Sequence, residues 1–307
     1  MTDTFQTVSP IDGAVVAERP FATEADGREA LERARGAFPR WRARSLAERA
    51  AMVAAFVDAV VAKKDALADE LTLQMGRPRR STPGEIAGFE ERARTMIALA
   101  DEALAPIDPG AKEGFERAIT REPLGVVLVL APWNYPWLTA VNAIVPALMA
   151  GNVVVLKHSE QTPLVAERMS EAAREAGLPE GVFQHLHASH EGIARLVADP
   201  RVDHVCFTGS VEGGRAVHRA AAERFVATGL ELGGKDPAWV APDADLARSV
   251  EGIVDGAFFN SGQSCCGIER VYVDAALYDD FVEAFVEAVK GYELGDPREA
   301  ATTLGPV

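Results

Sequence analysis

The 307-residue chain has only three cysteines, Cys206, Cys265 and Cys266. So few cysteines give no disulfide framework in a chain of this length, which favours a reducing compartment. The N-terminal stretch MTDTFQTVSPIDG also lacks a basic region followed by an apolar run, so it does not look like a signal peptide. We therefore expect a cytoplasmic protein.

Long apolar runs and an excess of basic residues are absent as well. The most apolar stretches, LGVVLVLAPW (124–133) and WLTAVNAIVPALMA (137–150), are too short to span a bilayer. Lys and Arg number 31 against 46 Asp and Glu, which gives a net charge of −15. A strongly acidic chain repels phosphate backbones and anionic lipid, so nucleic acid and membrane surfaces are poor candidates as partners. The acidic residues are also spread out, as on an ordinary solubilising surface.

Residues 23–74 and 81–104 are predicted to be helical. Thr23 begins a segment in which Ala, Leu and Phe recur at helical spacing. Ser45 followed by Glu48 is a capping-box pattern that begins a second helical region, and Gly76 is a suitable stop for it. Residues 81–104 form a third helical region.

The pattern changes at residue 105. APIDPGAKEG (105–114) is rich in Pro and Gly and predicts a loop, and the alternating FERAITREPLG (115–125) predicts a pair of strands. From residue 124, short apolar strands alternate with amphipathic helices. This order predicts an α/β fold with a doubly wound parallel sheet, and the length predicts about two domains. Ligands bind beyond the C-terminal ends of such strands, where the polar segments PWN, KHSE and TGS follow.

Cys265 and Cys266 stand side by side in NSGQSCCGIER (260–270). Consecutive Cα atoms lie about 3.8 Å apart, whereas a relaxed disulfide needs about 4.4–6.8 Å. A metal site would need spaced ligands with a matching set elsewhere, and Cys206 is the only other thiol. The doublet alone is compatible with an inert small core residue or with a nucleophile, and at most one of the two side chains should face a cleft.

A thiol nucleophile needs thiolate character, an oxyanion donor and often a base. Asn134, in APWNYP, offers a donor amide at the end of a predicted strand, although an Asn there is also an ordinary turn residue. Glu231, in GLELGGKDP, lies in an apolar segment where lost hydration would make its carboxylate a better base toward water. The alternative for Glu231 is a simple ion pair with Lys235.

Two further segments are candidates for contacts with a nucleotide. Gly209 and Gly214 have G-x-x-x-x-G spacing where a predicted strand meets a helix, and backbone N–H groups at a helix start receive phosphate. The spacing departs from the usual G-x-G-x-x-G. Lys157 and Glu160 follow another strand and could hold a ribose, although an ordinary surface pair explains them as well.

Five segments together resemble the aldehyde dehydrogenase superfamily. They occur in the family's order and at about its spacing, and they are REPLGVVLVLAPWNYP, ALMAGNVVVLKHSE, VCFTGSVEGG, LELGGKDP and FFNSGQSCCG. The resemblance implies oxidation of an aldehyde with NAD or NADP, in a homo-oligomer for the full-length parent. It also implies an NAD(P)-binding domain (1–105 and 124–232), a partial oligomerisation β-arm (106–123) and an incomplete catalytic domain (233–307), because the family continues further.

The resemblance implies a role for each candidate. Cys265 matches the nucleophile of the family's G-Q-x-C motif, which leaves Cys266 as packing. Asn134 matches the oxyanion donor, which acts with the backbone N–H of the nucleophile. Glu231 matches the general base that activates water, and its presence argues against the relatives that acylate coenzyme A. The alternative is a truncated, non-catalytic relative that binds a dinucleotide or a partner subunit without turnover.

The same resemblance implies the contacts to the cofactor. Lys157 and Glu160 match the adenosine-ribose contacts, Ser210 matches a pyrophosphate contact, and Trp133 lies near the nicotinamide. A carboxylate near the 2′-hydroxyl repels a 2′-phosphate, so NAD is the preferred cofactor and NADP the second. His158 stands where many members have Pro. General and succinate-semialdehyde dehydrogenases are the most similar members, and no metal is implied.

Overall fold

The structure is a computed structural model that describes residues 3–307, and it begins with a strand pair and four helices. These elements are β1 (Thr4–Val8), β2 (Val15–Pro20), α1 (Glu24–Arg42), α2 (Leu46–Val61), α3 (Lys64–Met75) and α4 (Thr82–Leu104). Strands β1 and β2 are antiparallel. We did not predict this hairpin, although the alternation in FQTV and the turn residues of SPIDG are signals for one.

The helix ends follow the predicted capping residues. The Thr23 side chain caps α1 by accepting from the backbone N–H of Asp26. Ser45 and Glu48 form the predicted capping box at the start of α2. Gly76 ends α3 with φ 78°, a left-handed conformation that glycine adopts without a steric penalty. These three predictions are confirmed, and the second helical region divides into α2 and α3.

A five-stranded parallel sheet forms the centre of the fold, with the strand order β5-β4-β3-β6-β7. Its strands and the helices between them are β3 (Val126–Ala131), α5 (Pro136–Met149), β4 (Val153–His158), α6 (Pro163–Glu175), β5 (Phe183–His185), α7 (His190–Ala198), β6 (His204–Gly209), α8 (Val211–Ala222) and β7 (Ala227–Leu232). Every residue of β3 and β4 is buried, so helices cover both faces there. This confirms the doubly wound parallel sheet. The chain reverses its winding direction between β3 and β6, where such sheets bind ligands.

The segment between α4 and β3 is not the predicted pair of strands. Residues 105–122 are exposed almost throughout, and they form only the isolated bridges Ile107–Ile119 and Lys112–Phe115. The alternating side chains of FERAITREPLG have no apolar surface to cover within the described part of the chain. A strand pair without a covered face is only marginally stable, which accounts for the irregular structure.

A smaller unit with its own core follows β7. It contains β8 (Asp236–Val240), α9 (Leu246–Phe258), a 3₁₀ turn (Phe259–Gly262), β9 (Ile268–Val273) and α10 (Tyr278–Lys290). Strands β8 and β9 pair in parallel, and the core residues are Val240, Val250, Ile253, Val254 and Phe281. The turn after α9 brings the cysteine doublet back toward the large sheet. No helix within residues 3–307 is long and apolar enough to cross a membrane.

Candidate active site

A cleft of about 800 Å³ opens at the C-terminal ends of β3, β4, β6 and β7, and the loop after the 3₁₀ turn closes one side of it. This is the place that the strand order predicts. Of the candidate residues, seven line the cleft: Trp133, Asn134, Lys157, Gly209, Ser210, Glu231 and Cys265. Side chains that lie up to 132 residues apart in the sequence are therefore brought to one edge of the sheet.

Cys265 and Cys266 differ in where they lie. Both are exposed, but Cys265 lines the cleft and Cys266 does not. Because Cys266 is exposed and its sulfur contacts only the nearby Ser264 Oγ at 3.3 Å among the described hydrogen bonds, the expectation that Cys266 is a packing residue is wrong.

The surroundings of Cys265 favour its neutral form. Partial burial raises the pKa of its thiol, the neighbouring Cys266 raises it further, and nearby backbone N–H groups act in the opposite sense. The thiol therefore predominates at neutral pH, and a nucleophilic thiolate requires removal of its proton.

Asn134 lies in the loop between β3 and α5, directly opposite the cysteine loop. Its Nδ2 donates to the carbonyl oxygen of Gln263 over 3.1 Å, and its Oδ1 accepts from the backbone N–H of Tyr135 over 3.1 Å. A side-chain amide carries two N–H donors. One N–H of Asn134 thus ties it to the loop, and the second is left for a ligand in the cleft.

Glu231 is exposed, which contradicts the expectation of an apolar setting. It is the second-last residue of β7, an edge strand in which exposed and half-buried residues alternate. One face of this strand is uncovered within the described residues, and Glu231 is on that face. The alternative ion pair with Lys235 is not formed either, because Lys235 contacts Glu269. The Glu231 carboxylate is therefore open to both the cleft and water.

The start of α8 fits the phosphates of a dinucleotide. Ser210 is the N-cap and accepts from the backbone N–H of Gly213 over 3.0 Å. A Cβ on Gly209 or Gly213 would come within 2.7 Å of the Phe207 ring, so both residues need to lack a side chain. Bare backbone N–H groups at a helix start attract anionic oxygens. These features match what a pyrophosphate requires.

Lys157 supplies a positive charge beside this helix start. It is the second-last residue of β4 with 8% of its surface exposed, and it lines the cleft together with Ser159. Burial lowers the pKa of Lys157, and the charge of Glu160 opposes that shift. Lys157 is the one Lys or Arg among the described residues that line the cleft. A phosphate or ribose group in the cleft would therefore meet this cation.

Two predicted contacts lie outside the cleft. Gly214 is buried, and a Cβ there would come within 2.6 Å of the Leu232 side chain, so this glycine allows α8 to pack closely on β7. Glu160 does not line the cleft either, although its carbonyl oxygen accepts from Thr7 Oγ1 over 2.6 Å. The G-x-x-x-x-G spacing thus combines one cleft residue with one packing residue.

Comparison with known proteins identifies the family. The family model described as "Aldehyde dehydrogenase family" matches residues 1–307. The chain belongs to the aldehyde dehydrogenase family. It is 38% identical over 305 residues to a succinate-semialdehyde dehydrogenase (NADP(+)) of Mycobacterium avium strain 104, which covers 98% of this chain. The chain spans 64% of the length of that relative.

Two solved structures from the family are also similar. The NAD-dependent aldehyde dehydrogenase from Sinorhizobium meliloti has a TM-score of 0.92 at 35% identity, covering 99% of this chain and 61% of its own. PnpE in complex with nicotinamide adenine dinucleotide has a TM-score of 0.95 at 32% identity, covering 99% of this chain and 63% of its own. The chain therefore has the family's fold along almost all of its length.

In this member of the family, sequence reasoning missed one wall of the cleft. His190, Ile193 and Ala194 of α7 line it, together with Phe207 and Glu212. The segment ASHEGIARL carries no motif for a nucleotide site, and its one signal is the N-cap Ser189. Within residues 3–307 no three or more His, Cys, Asp or Glu side chains come together to hold a metal ion.

Proposed function

We propose that this chain oxidises an aldehyde to a carboxylic acid with NAD(P)+. One observation supports this most strongly: Cys265, Asn134 and Glu231 line the same cleft as Lys157 and Ser210. A nucleophile, an oxyanion donor and a base thus share one cavity with groups suited to a dinucleotide. Family membership supports the same reaction class.

The first step begins when the Cys265 thiol loses its proton to water, and the resulting thiolate then adds to the aldehyde carbon. The carbonyl π electrons move to oxygen and give a thiohemiacetal oxyanion on Cys265. The unused N–H of Asn134 and the backbone N–H of Cys265 are the donors proposed for that oxyanion. Because Cys265 and Asn134 face the same cleft, the two donors can approach a single oxygen atom.

The second half of the reaction uses Glu231. A bound nicotinamide supplies the hydride acceptor, which leaves a thioester on Cys265. Glu231 takes a proton from water, the hydroxide oxygen adds to the thioester carbon, and the Cys265 thiolate leaves as the carboxylic acid forms. The exposed position of Glu231 supports this role because water reaches its carboxylate directly.

We propose that the cleft accepts both NAD and NADP. The preference for NAD depends on a carboxylate at Glu160 facing a 2′-phosphate, yet Glu160 does not line the cleft. Lys157 and Ser159 do line it, and a cation with a hydroxyl group suits a phosphate. The Mycobacterium avium relative carries NADP(+) in its name, which supports the same proposal.

Succinic semialdehyde is the first substrate to test, because the relative from Mycobacterium avium is a succinate-semialdehyde dehydrogenase. Arg270 lies exposed on β9 and is not a residue of the cleft, so it is not proposed to bind the substrate carboxylate. A panel of neutral and carboxylate-bearing aldehydes separates a semialdehyde enzyme from a general one.

The proposal also assigns a role to each part of the chain. We assign residues 1–105 and 124–232 to a dinucleotide-binding domain, which also contributes Asn134 and Glu231. Residues 233–307 are assigned to the catalytic domain that carries Cys265, on the basis of two separate hydrophobic cores. The exposed segment 106–123 is assigned to contacts between subunits of a homo-oligomer. A cytoplasmic location agrees with the low cysteine content.

The test is aldehyde-dependent formation of NADH or NADPH by the purified chain, with product acid measured separately. Cys265→Ser is expected to abolish turnover, whereas the matched variant Cys266→Ser retains it. Turnover that survives in Cys265→Ser would overturn the assignment of the nucleophile.

A second candidate function is dinucleotide binding without turnover. The raised pKa of the Cys265 thiol and the exposure of both Cys265 and Glu231 favour it, because reaction intermediates would meet water on an open side of the cleft. Calorimetry that shows dinucleotide binding, with no acid formed from any aldehyde of the panel, would select this function.

A further inference from the structure

A buried ion pair lies behind the cleft, between Arg77 and Glu85. Arg77 is in the loop before α4 and Glu85 is in the first turn of that helix. Each side chain is 1% exposed, and the guanidinium contacts the carboxylate directly. Removing two charges from water is costly, and a buried pair is a poor device for stability alone. Stability alone therefore does not account for this ion pair, and its other contacts indicate a second role.

The remaining donors of Arg77 bind both sides of the proposed active site. Nε donates to Oδ1 of Asn260 over 2.8 Å, and Nη2 donates to the carbonyl oxygen of Asn134. The guanidinium carbon lies 4.5 Å from the centre of the Tyr135 ring. One rigid, planar group thus contacts the Asn134 loop and the turn that precedes Cys265.

The turn that Arg77 holds is strained. Asn260, Ser261 and Gly262 have φ values of 55°, 56° and 75°, so three consecutive residues are left-handed. Non-glycine residues in this region cost energy and persist only where the surroundings fix them. The Asn260 side chain supplies such fixing, because its Nδ2 donates to the carbonyl oxygens of Asn134 over 3.1 Å and of Gln263 over 3.2 Å.

Glu85 binds the other side of the same site. Its Oε1 accepts from the backbone N–H of Trp137 over 2.8 Å and lies 3.4 Å from that of Leu138. These donors are at the start of α5, which follows the Asn134 loop directly. A carboxylate at a helix start satisfies N–H groups that lack partners within the helix. Glu85 therefore fixes the loop of the oxyanion donor, while Arg77 fixes the turn of the nucleophile.

We propose that Arg77 and Glu85 are positioning residues that set the geometry between the Asn134 amide and Cys265. The catalytic part of this inference rests on the proposed function, in which these two groups meet the same oxygen atom. Neither Arg77 nor Glu85 lines the cleft, so they act through Asn260, Asn134 and the backbone. Because oxyanion donors act over short distances, a small displacement of either loop is expected to reduce kcat.

The first test is Arg77→Met, which keeps an apolar stem of similar length and removes the donors. We expect kcat to fall about 10- to 100-fold, while the KM for the dinucleotide changes less than about twofold. Arg49→Met is the matched control. Arg49 is a half-buried arginine, less buried than Arg77, and it donates to the carbonyl oxygen of Met149 over 3.0 Å at the opposite end of α5. It is expected to lower the melting temperature without lowering kcat.

A second readout does not depend on turnover. Amide hydrogen exchange in the peptide spanning residues 259–266 is expected to be at least about tenfold faster in Arg77→Met than in the parent chain, because the turn loses its partner. Arg49→Met is expected to leave that peptide unchanged. If the parent chain oxidises no aldehyde, the proposed function fails, and hydrogen exchange alone decides the positioning role.

Asn260→Gly covers the outcome in which Arg77→Met does not fold. Glycine adopts the left-handed conformation without strain, but it removes the side-chain contacts to Asn134 and Gln263. The same fall in kcat and the same faster exchange are expected. Unchanged exchange, or unchanged kcat in an active parent chain, would overturn the proposal.

Discussion

The side-chain amide of Asn134 donates to the carbonyl oxygen of Gln263 over 3.1 Å, although the two residues are 129 positions apart. Asn134 follows strand β3 of the large sheet, and Gln263 precedes the cysteine doublet in the smaller unit. The proposed oxyanion donor is therefore attached to the loop of the proposed nucleophile. Its geometry is fixed before any substrate is bound, which is the condition for strong transition-state stabilisation.

The first prediction concerns Asn134→Ala. Loss of an oxyanion donor is expected to lower kcat about 100- to 1,000-fold with a much smaller change in the KM for aldehyde. Steady-state kinetics with the best aldehyde of the panel measures both values. Asn142→Ala is the control, because Asn142 is an exposed residue of the neighbouring helix α5, and its Oδ1 accepts from Arg92 over 3.3 Å. An Asn134→Ala enzyme with parental kcat would contradict the oxyanion role.

The fold could be predicted from sequence where one local pattern determined the outcome. The apolar strands β3 and β4 predicted a sheet covered on both faces, and the capping residues of α1 and α2 marked the helix starts. We did not predict the hairpin β1–β2, although the alternation and turn residues that indicate it are local. The strand pair predicted for residues 115–125 was wrong because alternation does not reveal whether a covering surface exists.

The site was predicted less completely, because side-chain surroundings depend on distant parts of the chain. The position of Glu231 was predicted, but not its exposure, which follows from its place on an edge strand. Lys157 lines the cleft and Glu160 does not, although they are only three residues apart. The contact between Arg77 and Asn260 spans 183 positions, and no motif in either segment signals it.

The second prediction concerns the pH dependence of Cys265 alkylation. Since burial and Cys266 raise the pKa of the thiol, the thiolate fraction is small at neutral pH and grows as pH rises toward and past that pKa. The rate of iodoacetamide labelling at Cys265, followed by mass spectrometry of its peptide, is expected to rise over this alkaline range. Cys266→Ser removes one cause of the shift and is expected to move the profile to lower pH. A profile that is flat from neutral to alkaline pH would contradict the raised pKa.

The third prediction concerns stability and Glu167, which anchors the N-terminal hairpin to α6. Burial acts to raise the pKa of Glu167, but hydrogen bonds from His187 at 3.0 Å and Arg19 at 2.7 Å prevail and lower it from 4.5 to about 2. A depressed carboxyl pKa stabilises the folded state above pH 4.5, and this contribution is lost as pH falls toward 2.

Glu167→Gln is therefore expected to lower the free energy of unfolding by about 1–2 kcal/mol at neutral pH, as for loss of hydrogen bonds to a charged group. The difference from the parent chain should shrink as pH falls below 4.5, which urea unfolding at several pH values measures. Glu191→Gln is the control, because its carboxylate is 88% exposed and lies 3.6 Å from Arg195. Equal stability loss in both variants would contradict a special role for Glu167.

The fourth prediction concerns cofactor choice and the residues at the end of β4. If Lys157 meets the 2′-phosphate, Lys157→Met should weaken NADP binding about 10- to 100-fold more than NAD binding, as expected for one lost charge-assisted hydrogen bond. Ser159→Glu places a carboxylate in the cleft and should also select against NADP.

Glu160→Gln is the matched control, because that side chain does not line the cleft. The ratio of the dissociation constants for NADP and NAD should stay within about twofold of the parent. Calorimetric titration of each variant with both dinucleotides measures the ratios. A large gain in NADP affinity in Glu160→Gln would show that Glu160 discriminates against the 2′-phosphate. That result would contradict the proposal that the cleft accepts both NAD and NADP.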